Sequence, residues 1–452
     1  MQPQDYRQKI LTFPRFKQNA ADIRTLFHAA DYREQLLSLI TQAQHRIYLA
    51  ALYLQEDTGG QLILEALFEA KKRNPTLDLV VFVDWHRGQR GLIGATQQLG
   101  NAAWYAQQIA ERGISLKIIG VPINTREMFG VFHFKGFVID DTLLYTGASL
   151  NDVYLHIGEK YRADRYHLIK NEGLTDCFVA YLHNQIAPCY PNFRLDDGLL
   201  HRPKKPKPLI TQFRRALMDK TYEIQLANGL IKDKQPQLSL MPLVGLGKKN
   251  NPLNETILDL VNSATQNLIF CTPYFNFPAP LMRSVKQALK RGVRVEIIVG
   301  DKTANDFFIP ETEPFKTIGA VPYLYEMNLR RYATKYAKAL ETGQLTLRLW
   351  AHDAHSYHLK GLWVDDDLML ITGNNFNPRA FHLDLENAIL LHDPLGEKAQ
   401  EKQAELSHIR QKTTVITSAE QLDYLSDYPL HIKKILTRLS RIRLDRLLCR
   451  IL

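Results

Sequence analysis

Apolar positions along the chain fall into two successive series of the same kind. In the first, "RIYLAALYL" (46–54) reads as a buried strand. "GGQLILEALFEAKKRNP" (59–75) then carries apolar residues at helical spacing, and "LDLVVFVDWH" (77–86) is a second strand. In the second series "NLIFCTPYF" (267–275), the helical "APLMRSVKQALKRG" (279–292) and "VRVEIIVGD" (293–301) repeat that order. Strand, helix, strand at this spacing is the pattern of a parallel βαβ unit with a right-handed crossover. Each series closes on a further strand, "RYHLIKN" near 165 and "ENAILLHD" near 386. Between them, "HRPKKPKPLITQFRR" (201–215) and the polar stretch to about 240 read as a linker or surface excursion. The expected fold is therefore α/β, two similar domains related by a pseudo-twofold axis. Their bounds are 1–200 and 241–429, with a Pro/Lys-rich linker over 201–240 and a basic tail over 430–452. At 452 residues each half is long enough to bury its own core.

The repeat extends to chemistry. "VFHFKGFVIDDTLLYTGASLN" (131–151) and "SYHLKGLWVDDDLMLITGNNFN" (356–377) share His-x-Lys-x-x-x-x-Asp, a turn, then Gly-x-(Ser/Asn)-x-Asn. Read as strands, they place His133 with Lys135, and His358 with Lys360, on one face each. Asp140 and Asp365 fall on the opposite face at a turn, which gives them a structural reading. Gly147, Ser149 and Asn151 follow in one copy, and Gly373, Asn375 and Asn377 in the other. Doubled about an axis, such a face surrounds one tetrahedral group with two imidazoles, two ammonium groups and two amides. Phosphoryl transfer needs that set: a nucleophile, an acid/base and fixed donors to the equatorial oxygens. Two lysines supply the charge that a divalent metal gives elsewhere, so no metal and no cofactor are expected.

A net charge of +10 suits nucleic acid, an anionic membrane surface or a phosphorylated substrate. The tail "LHIKKILTRLSRIRLDRLLCRIL" (430–452) combines apolar residues at helical spacing with Lys433, Lys434, Arg438, Arg441, Arg443, Arg446 and Arg450. It reads either as an interfacial helix on anionic lipid or as a helix packed on its own domain with a solvated basic face. The first residues lack an apolar leader core, and no apolar run approaches about 18 residues, so neither a secretory signal nor a membrane span is expected. The four cysteines are far apart and read as reduced thiols.

These stretches resemble the phospholipase D superfamily over nearly the whole chain, and most closely its gram-negative bacterial phosphatidylserine synthases. The likeness is carried by the doubled motif with "VDWHRGQRG" (83–91), "GVPINTRE" (120–127), "GASLNDVYLH" (147–156), "PLVGLGK" (242–248), "VGDKTANDF" (299–307) and "TGNNFNPRAFHLDLENAILLHDP" (372–394). It implies two phospholipase D-like domains and transfer of a phosphatidyl group from CDP-diacylglycerol to L-serine through a phosphatidyl-histidine. It also implies peripheral attachment to the inner face of the cytoplasmic membrane. By analogy His133 is the nucleophile and His358 the acid/base, the swapped roles staying open. Lys135, Lys360, Asn151 and Asn377 would bind phosphoryl oxygens, with Asp140 and Asp365 completing the motifs. Glu386, and Asp164 in the corresponding place of the first half, are candidates to fix the imidazole tautomers. Their pairing within or across halves stays open, and an ion pair with a neighbouring arginine is the alternative for Asp164. Arg87, Arg90 and Lys302, at strand ends where α/β sheets bind ligands, are candidates for the nucleotide, with Ser149 and Asn375 lining the site. A phospholipase D-type hydrolase, a cardiolipin synthase and an endonuclease would use the same chemistry. A non-catalytic nucleic-acid binder is a separate alternative; nucleic acid is otherwise expected to bind only non-specifically, and an oligomer is compatible with the sequence.

Overall fold

The computed structural model describes residues 1–90, 100–224, 229–231 and 235–441. Two mixed sheets form its framework. The first runs in the order Ile23–Leu26, Tyr166–Lys170, Thr142–Thr146, Gly136–Ile139, Arg46–Ala50, Asp78–Asp84, Lys117–Val121. The second runs Phe16–Lys17, Ser239–Leu246, Leu385–His392, Leu368–Thr372, Gly361–Val364, Asn267–Thr272, Arg294–Gly300, Leu345–Trp350, Thr413–Ile416. In each, three consecutive strands are parallel, as the βαβ pattern requires: Arg46–Ala50 with Asp78–Asp84 with Lys117–Val121, and Asn267–Thr272 with Arg294–Gly300 with Leu345–Trp350. The crossover helices are Thr58–Arg73 and Ala279–Lys290. The first starts where the Asp57 carboxylate accepts the Gly60 N–H, and ends in Lys71, Lys72 and Arg73, both favourable to the helix dipole.

The two motif aspartates anchor this framework. Asp140 and Asp365 each occupy a hairpin turn with positive φ (49° and 50°), a conformation that aspartate tolerates better than most residues. The Asp140 carboxylate accepts the backbone N–H groups of Gln44, His45 and Arg46. The Asp365 carboxylate takes those of Thr265, Gln266 and Asn267. Each locks the entry of its first parallel strand, and neither reaches a motif histidine.

The halves exchange elements at both ends, which departs from the expected division. Helix Pro3–Leu11 packs on helix Pro252–Ser263, with ion pairs Lys9–Asp259 (2.7 Å) and Arg7–Asp365 (3.4 Å), and Phe16 pairs in the second sheet with Leu240. Ile10 accordingly lies in the core behind that sheet. In return, helix Ala399–Arg410 places Leu406 and Ile409 in the first core and pairs the Glu405 carboxylate with Arg165 at 2.7 Å. Nor is 201–240 a free tether where it is described. Helix Pro206–Leu217 puts Arg214 Nη1 on the carbonyls of Ile123 and Leu383, one from each half, and Tyr222 stacks among Phe178, Phe134 and Tyr181.

Helix Leu430–Arg441 buries Ile432 and Leu436 against Tyr323, Leu324 and Tyr428 in a third, small cluster. The apolar stripe of its described part is thus covered by its own domain, leaving Lys434 and Arg438 exposed. The rest of the tail, with Arg443, Arg446, Cys449 and Arg450, lies outside the described residues. Among the described residues no helix is long and apolar enough to cross a membrane. Cys177, Cys189 and Cys271 are buried and unpaired.

Candidate active site

The motifs leave their sheets before they reach the histidines. The sheet strands begin at Gly136 and Gly361, so the preceding residues, expected as sheet strand, extend beyond the edge and pair with the opposite half. Phe132 bridges Leu385 in parallel, and Ser356–Tyr357 pairs in parallel with Arg162–Ala163. The His133 N–H is thereby given to the Leu385 carbonyl (3.0 Å) and the His358 N–H to the Ala163 carbonyl (2.9 Å). Each histidine backbone is held by the strand that carries the other half's carboxylate.

The carboxylates follow from that register. Glu386, one residue beyond Leu385, lies 2.8 Å from His133 Nδ1, and Asp164, one beyond Ala163, lies 2.7 Å from His358 Nδ1. The pairing left open by the sequence is across halves, twice. The next residue in each strand adds a second clasp. The Asn387 side chain bonds both the N–H and the carbonyl of Lys135, each at 2.8 Å, and Arg165 Nη1 donates to the Lys360 carbonyl at 3.2 Å. Neither residue stands in the motif, and the sequence offered no signal for them beyond their place after the carboxylates.

All six ionisable side chains are buried. Lys135 is pushed down to about 7 by burial and then by Lys360; Lys360 is pushed down to about 8 by burial against the pull of Asp164. Burial and then Lys360 lower His358 to about 4, and burial with the two lysines lowers His133 well below its ordinary value. The carboxylates differ. Burial favours protonation of both, yet Lys360 and the His358 hydrogen bond hold Asp164 below the usual range, whereas burial, reinforced by Asp384, raises Glu386 well above it. An anion beside such buried lysines favours their charged form and would raise both values again.

The small residues after each motif have steric reasons. A Cβ on Gly147 would stand 2.8 Å from Asp164 Oδ2, and one on Gly373 would stand 2.9 Å from the Lys135 stem. Ser149 Oγ accepts from Lys135 Nζ at 3.3 Å. Asn151 and Asn377 cap helices Asp152–Leu155 and Pro378–His382 through Oδ1, which commits those oxygens to the backbone. Asn375 is half-buried, its carbonyl accepting from the Thr272 hydroxyl at 2.7 Å.

The nucleotide candidates are engaged to different degrees. Arg87 and Arg90 converge on Glu127 (3.5 and 2.8 Å), with the Arg87 guanidinium over the Tyr53 ring at 4.6 Å. Lys302 is held between Glu326 (2.8 Å) and Asp423 (2.7 Å), so its charge is already compensated. Tyr154, missed in the sequence, sets its hydroxyl 3.1 Å from His358 Nε2. Aligned on the capping asparagines, its counterpart is Ala380, so the two histidines are not equivalent. At the rim, His352, Asp353 and His355 bring three ligating atoms within 4.8 Å of one another. His355 Nδ1 accepts the Tyr161 N–H, however, which keeps the ring proton on Nε2 and opposes metal ligation there.

Comparison with known proteins agrees with this geometry. Residues 257–410 match the family model described as cardiolipin synthase, PLD-like domain. The chain is 52% identical to the CDP-diacylglycerol–serine O-phosphatidyltransferase of Escherichia coli (strain K12), over 99% of this chain and 98% of that one. It is 25% identical to the CDP-diacylglycerol–glycerol-3-phosphate 3-phosphatidyltransferase of Saccharomyces cerevisiae, over 92% of this chain and 86% of that one. The crystal structure of phosphatidylserine synthase from Haemophilus influenzae Rd KW20 superposes with a TM-score of 0.94 at 43% identity, covering all of both chains.

Proposed function

The chain belongs to the phospholipase D superfamily, among its bacterial CDP-diacylglycerol–serine O-phosphatidyltransferases, and from that membership we propose a two-step, metal-independent transfer through a phosphatidyl-histidine. The reading rests on one observation: two histidine–carboxylate pairs, each made across the halves, beside the same buried lysines. In the first step His133 Nε2 attacks the phosphorus that carries diacylglycerol. The bond to the CMP oxygen breaks and its electron pair leaves with CMP. Glu386 holds Nδ1 and so turns the other nitrogen to the substrate. Lys135, Lys360 and the Nδ2 groups of Asn151 and Asn377 stabilise the phosphoryl oxygens.

In the second step the serine hydroxyl gives its proton to His358 Nε2, Oγ bonds to phosphorus, and the P–N bond breaks with its pair returning to His133. CMP has a second phosphate pKa of about 6 and leaves almost unaided. Serine's hydroxyl, with a pKa on the order of 15, needs a base, and Asp164 stabilises the imidazolium that results. The substrate is a lipid, and the exposed Lys434 and Arg438 suit an anionic bilayer face, so we place the enzyme peripherally at the inner surface of the membrane.

The test is CMP release from CDP-diacylglycerol in mixed micelles with EDTA, with and without L-serine. Serine-dependent release with phosphatidylserine as product supports the reading. Release indifferent to serine, with phosphatidic acid formed, makes the protein a hydrolase; loss of all activity in EDTA overturns the metal-independent chemistry.

A further inference from the structure

Beside His358 lies an ion pair that neither the motifs nor the sheet framework requires. Arg162 Nε is 2.9 Å from Asp306 Oδ1, and the two side chains are only 17% and 14% exposed. Arg162 belongs to the short strand paired with Ser356–Tyr357, immediately before His358, and its guanidinium lies over the Tyr154 ring at 4.6 Å. The Tyr154 hydroxyl in turn reaches His358 Nε2 at 3.1 Å. One tyrosine therefore joins the pair to the imidazole proposed as the base for the acceptor.

Both partners have unused capacity. Arg162 Nε also donates to Ser356 Oγ at 3.2 Å, and its terminal nitrogens make no hydrogen bond among the described residues. Asp306 Oδ2 accepts from the Tyr274 hydroxyl at 3.1 Å, whereas the buried Oδ1, out of line with Arg162 Nε, finds no hydrogen-bond donor among the described residues. A buried carboxylate oxygen without a donor is costly unless a ligand supplies one. A buried ion pair is also a weak source of stability, since desolvation offsets much of the attraction.

The duplicated framework sharpens the point. Arg162 stands two residues before Asp164, and the corresponding residue before Glu386 is Asp384. Asp384 is employed in holding the chain, accepting the Val131 N–H at 2.8 Å and Arg379 Nε at 3.0 Å. The His133 side thus has an arginine–aspartate pair of its own, but one spent on the backbone, whereas Arg162 and Asp306 bond only side chains among the described residues.

We propose that Arg162 and Asp306 bind the amino-acid end of the acceptor, the guanidinium taking the α-carboxylate and the Asp306 carboxylate the α-ammonium, with the serine hydroxyl directed at His358 Nε2. This deepens the proposed serine transfer and rests on it. A zwitterion fits such a receptor because the charges balance in both states: the pair neutralises itself when empty and re-pairs with the ligand when full. Serine's three functional groups all lie on two adjacent carbons, so one bound molecule presents its hydroxyl to the base while both charges are held. CMP departs from the side of His358, so the acceptor takes the place it vacates.

Two truncated acceptors read the two contacts: 3-hydroxypropanoate, which lacks the ammonium, and ethanolamine, which lacks the carboxylate. The measurement is partition of the phosphatidyl group between acceptor and water, so a general loss of rate cancels. The wild-type enzyme is expected to prefer serine to either by about 10- to 100-fold or more. Asp306→Asn should lose its preference for serine over 3-hydroxypropanoate, and Arg162→Gln its preference for serine over ethanolamine. Variants that keep the wild-type ratios overturn the proposal. So does a wild-type enzyme that accepts ethanolamine as readily as serine, a result that needs no variant to fold. Wild-type enzyme that makes only phosphatidic acid, with serine present, refutes serine transfer itself and is seen before any variant is tested.

Discussion

Glu386 Oε1 and His133 Nδ1 meet at 2.8 Å although they belong to different halves, and Asp164 meets His358 in the same way at 2.7 Å. Each half lends the other the group that orients its imidazole. Glu386→Gln should therefore slow the first chemical step, cutting the single-turnover burst of CMP by about 100-fold or more. Asp164→Asn should leave most of that burst and slow steady turnover instead. Rapid-quench measurement of CMP separates the two, and equal bursts in both variants would count against the assignment.

Removing the base should expose the intermediate. In His358→Ala, CMP release in the first turnover is expected to persist while serine transfer falls by about 100-fold or more, so labelled phosphatidyl-enzyme accumulates and can be trapped by acid quench. A variant in which burst and turnover fall together would reverse the roles of the histidines.

Buried lysines set the alkaline limb. With Lys135 lowered to about 7 and Lys360 to about 8, the free enzyme loses its two ammonium charges as pH rises through that range. The kcat/KM for CDP-diacylglycerol should fall across it. The limb on kcat should lie higher, because the bound anionic diphosphate holds the protons on. His358, lowered to about 4, stays a neutral base well below pH 6. Initial rates between pH 5 and 9.5, at low and saturating substrate, test both statements.

The same lysines cost stability. Lys135 is charged below about 7 when folded but keeps its proton to its ordinary value of 10.5 when unfolded, so between these limits the unfolded chain binds more protons and stability rises with pH. Lys135→Met should abolish activity yet stabilise the fold by about 1–4 kcal/mol near pH 6.5, the gain shrinking toward pH 10. Thermal melts of both proteins across that range give the answer; a destabilised variant would show that Lys135 is a structural cation.

Ile432 and Leu436 pack on the domain, so deleting the tail would remove core along with surface charge. Reversing Lys434 and Arg438 to Glu is the cleaner probe. Binding to anionic vesicles should drop, by about 1 kcal/mol per charge removed at low salt, with an unchanged melting temperature. Undiminished vesicle binding would place the lipid contact elsewhere.

Much of the framework was legible in the chain because periodicity reports burial, and the βαβ order of both halves follows from it. The doubled motif marked out the histidines and lysines, since spacing alone aligns two copies. Strand alternation also separated Asp140 and Asp365 from the histidine face. The carboxylate pairing was beyond reach, because it depends on Phe132 bridging Leu385 and Ser356–Tyr357 lying beside Arg162–Ala163, contacts between segments far apart in sequence. Tyr154 and Asp306 lie inside the quoted stretches "GASLNDVYLH" and "VGDKTANDF", but no spacing joins them to Arg162 or His358, and Tyr154 gains meaning only when its counterpart is seen to be Ala380. Lys302 had the right position for a nucleotide ligand, but its partners Glu326 and Asp423 come from elements that spacing does not connect to it.

The pairing of Phe16 with Leu240 also sets an order of events during synthesis. At about 5–20 residues per second, the first helix and strand leave the ribosome some tens of seconds before their partners exist. Ile10 spends that interval without the core it joins, while the first sheet already has every strand it needs once residue 170 has emerged. Helix Pro3–Leu11 thus docks long after it is made, once helix Pro252–Ser263 has followed it.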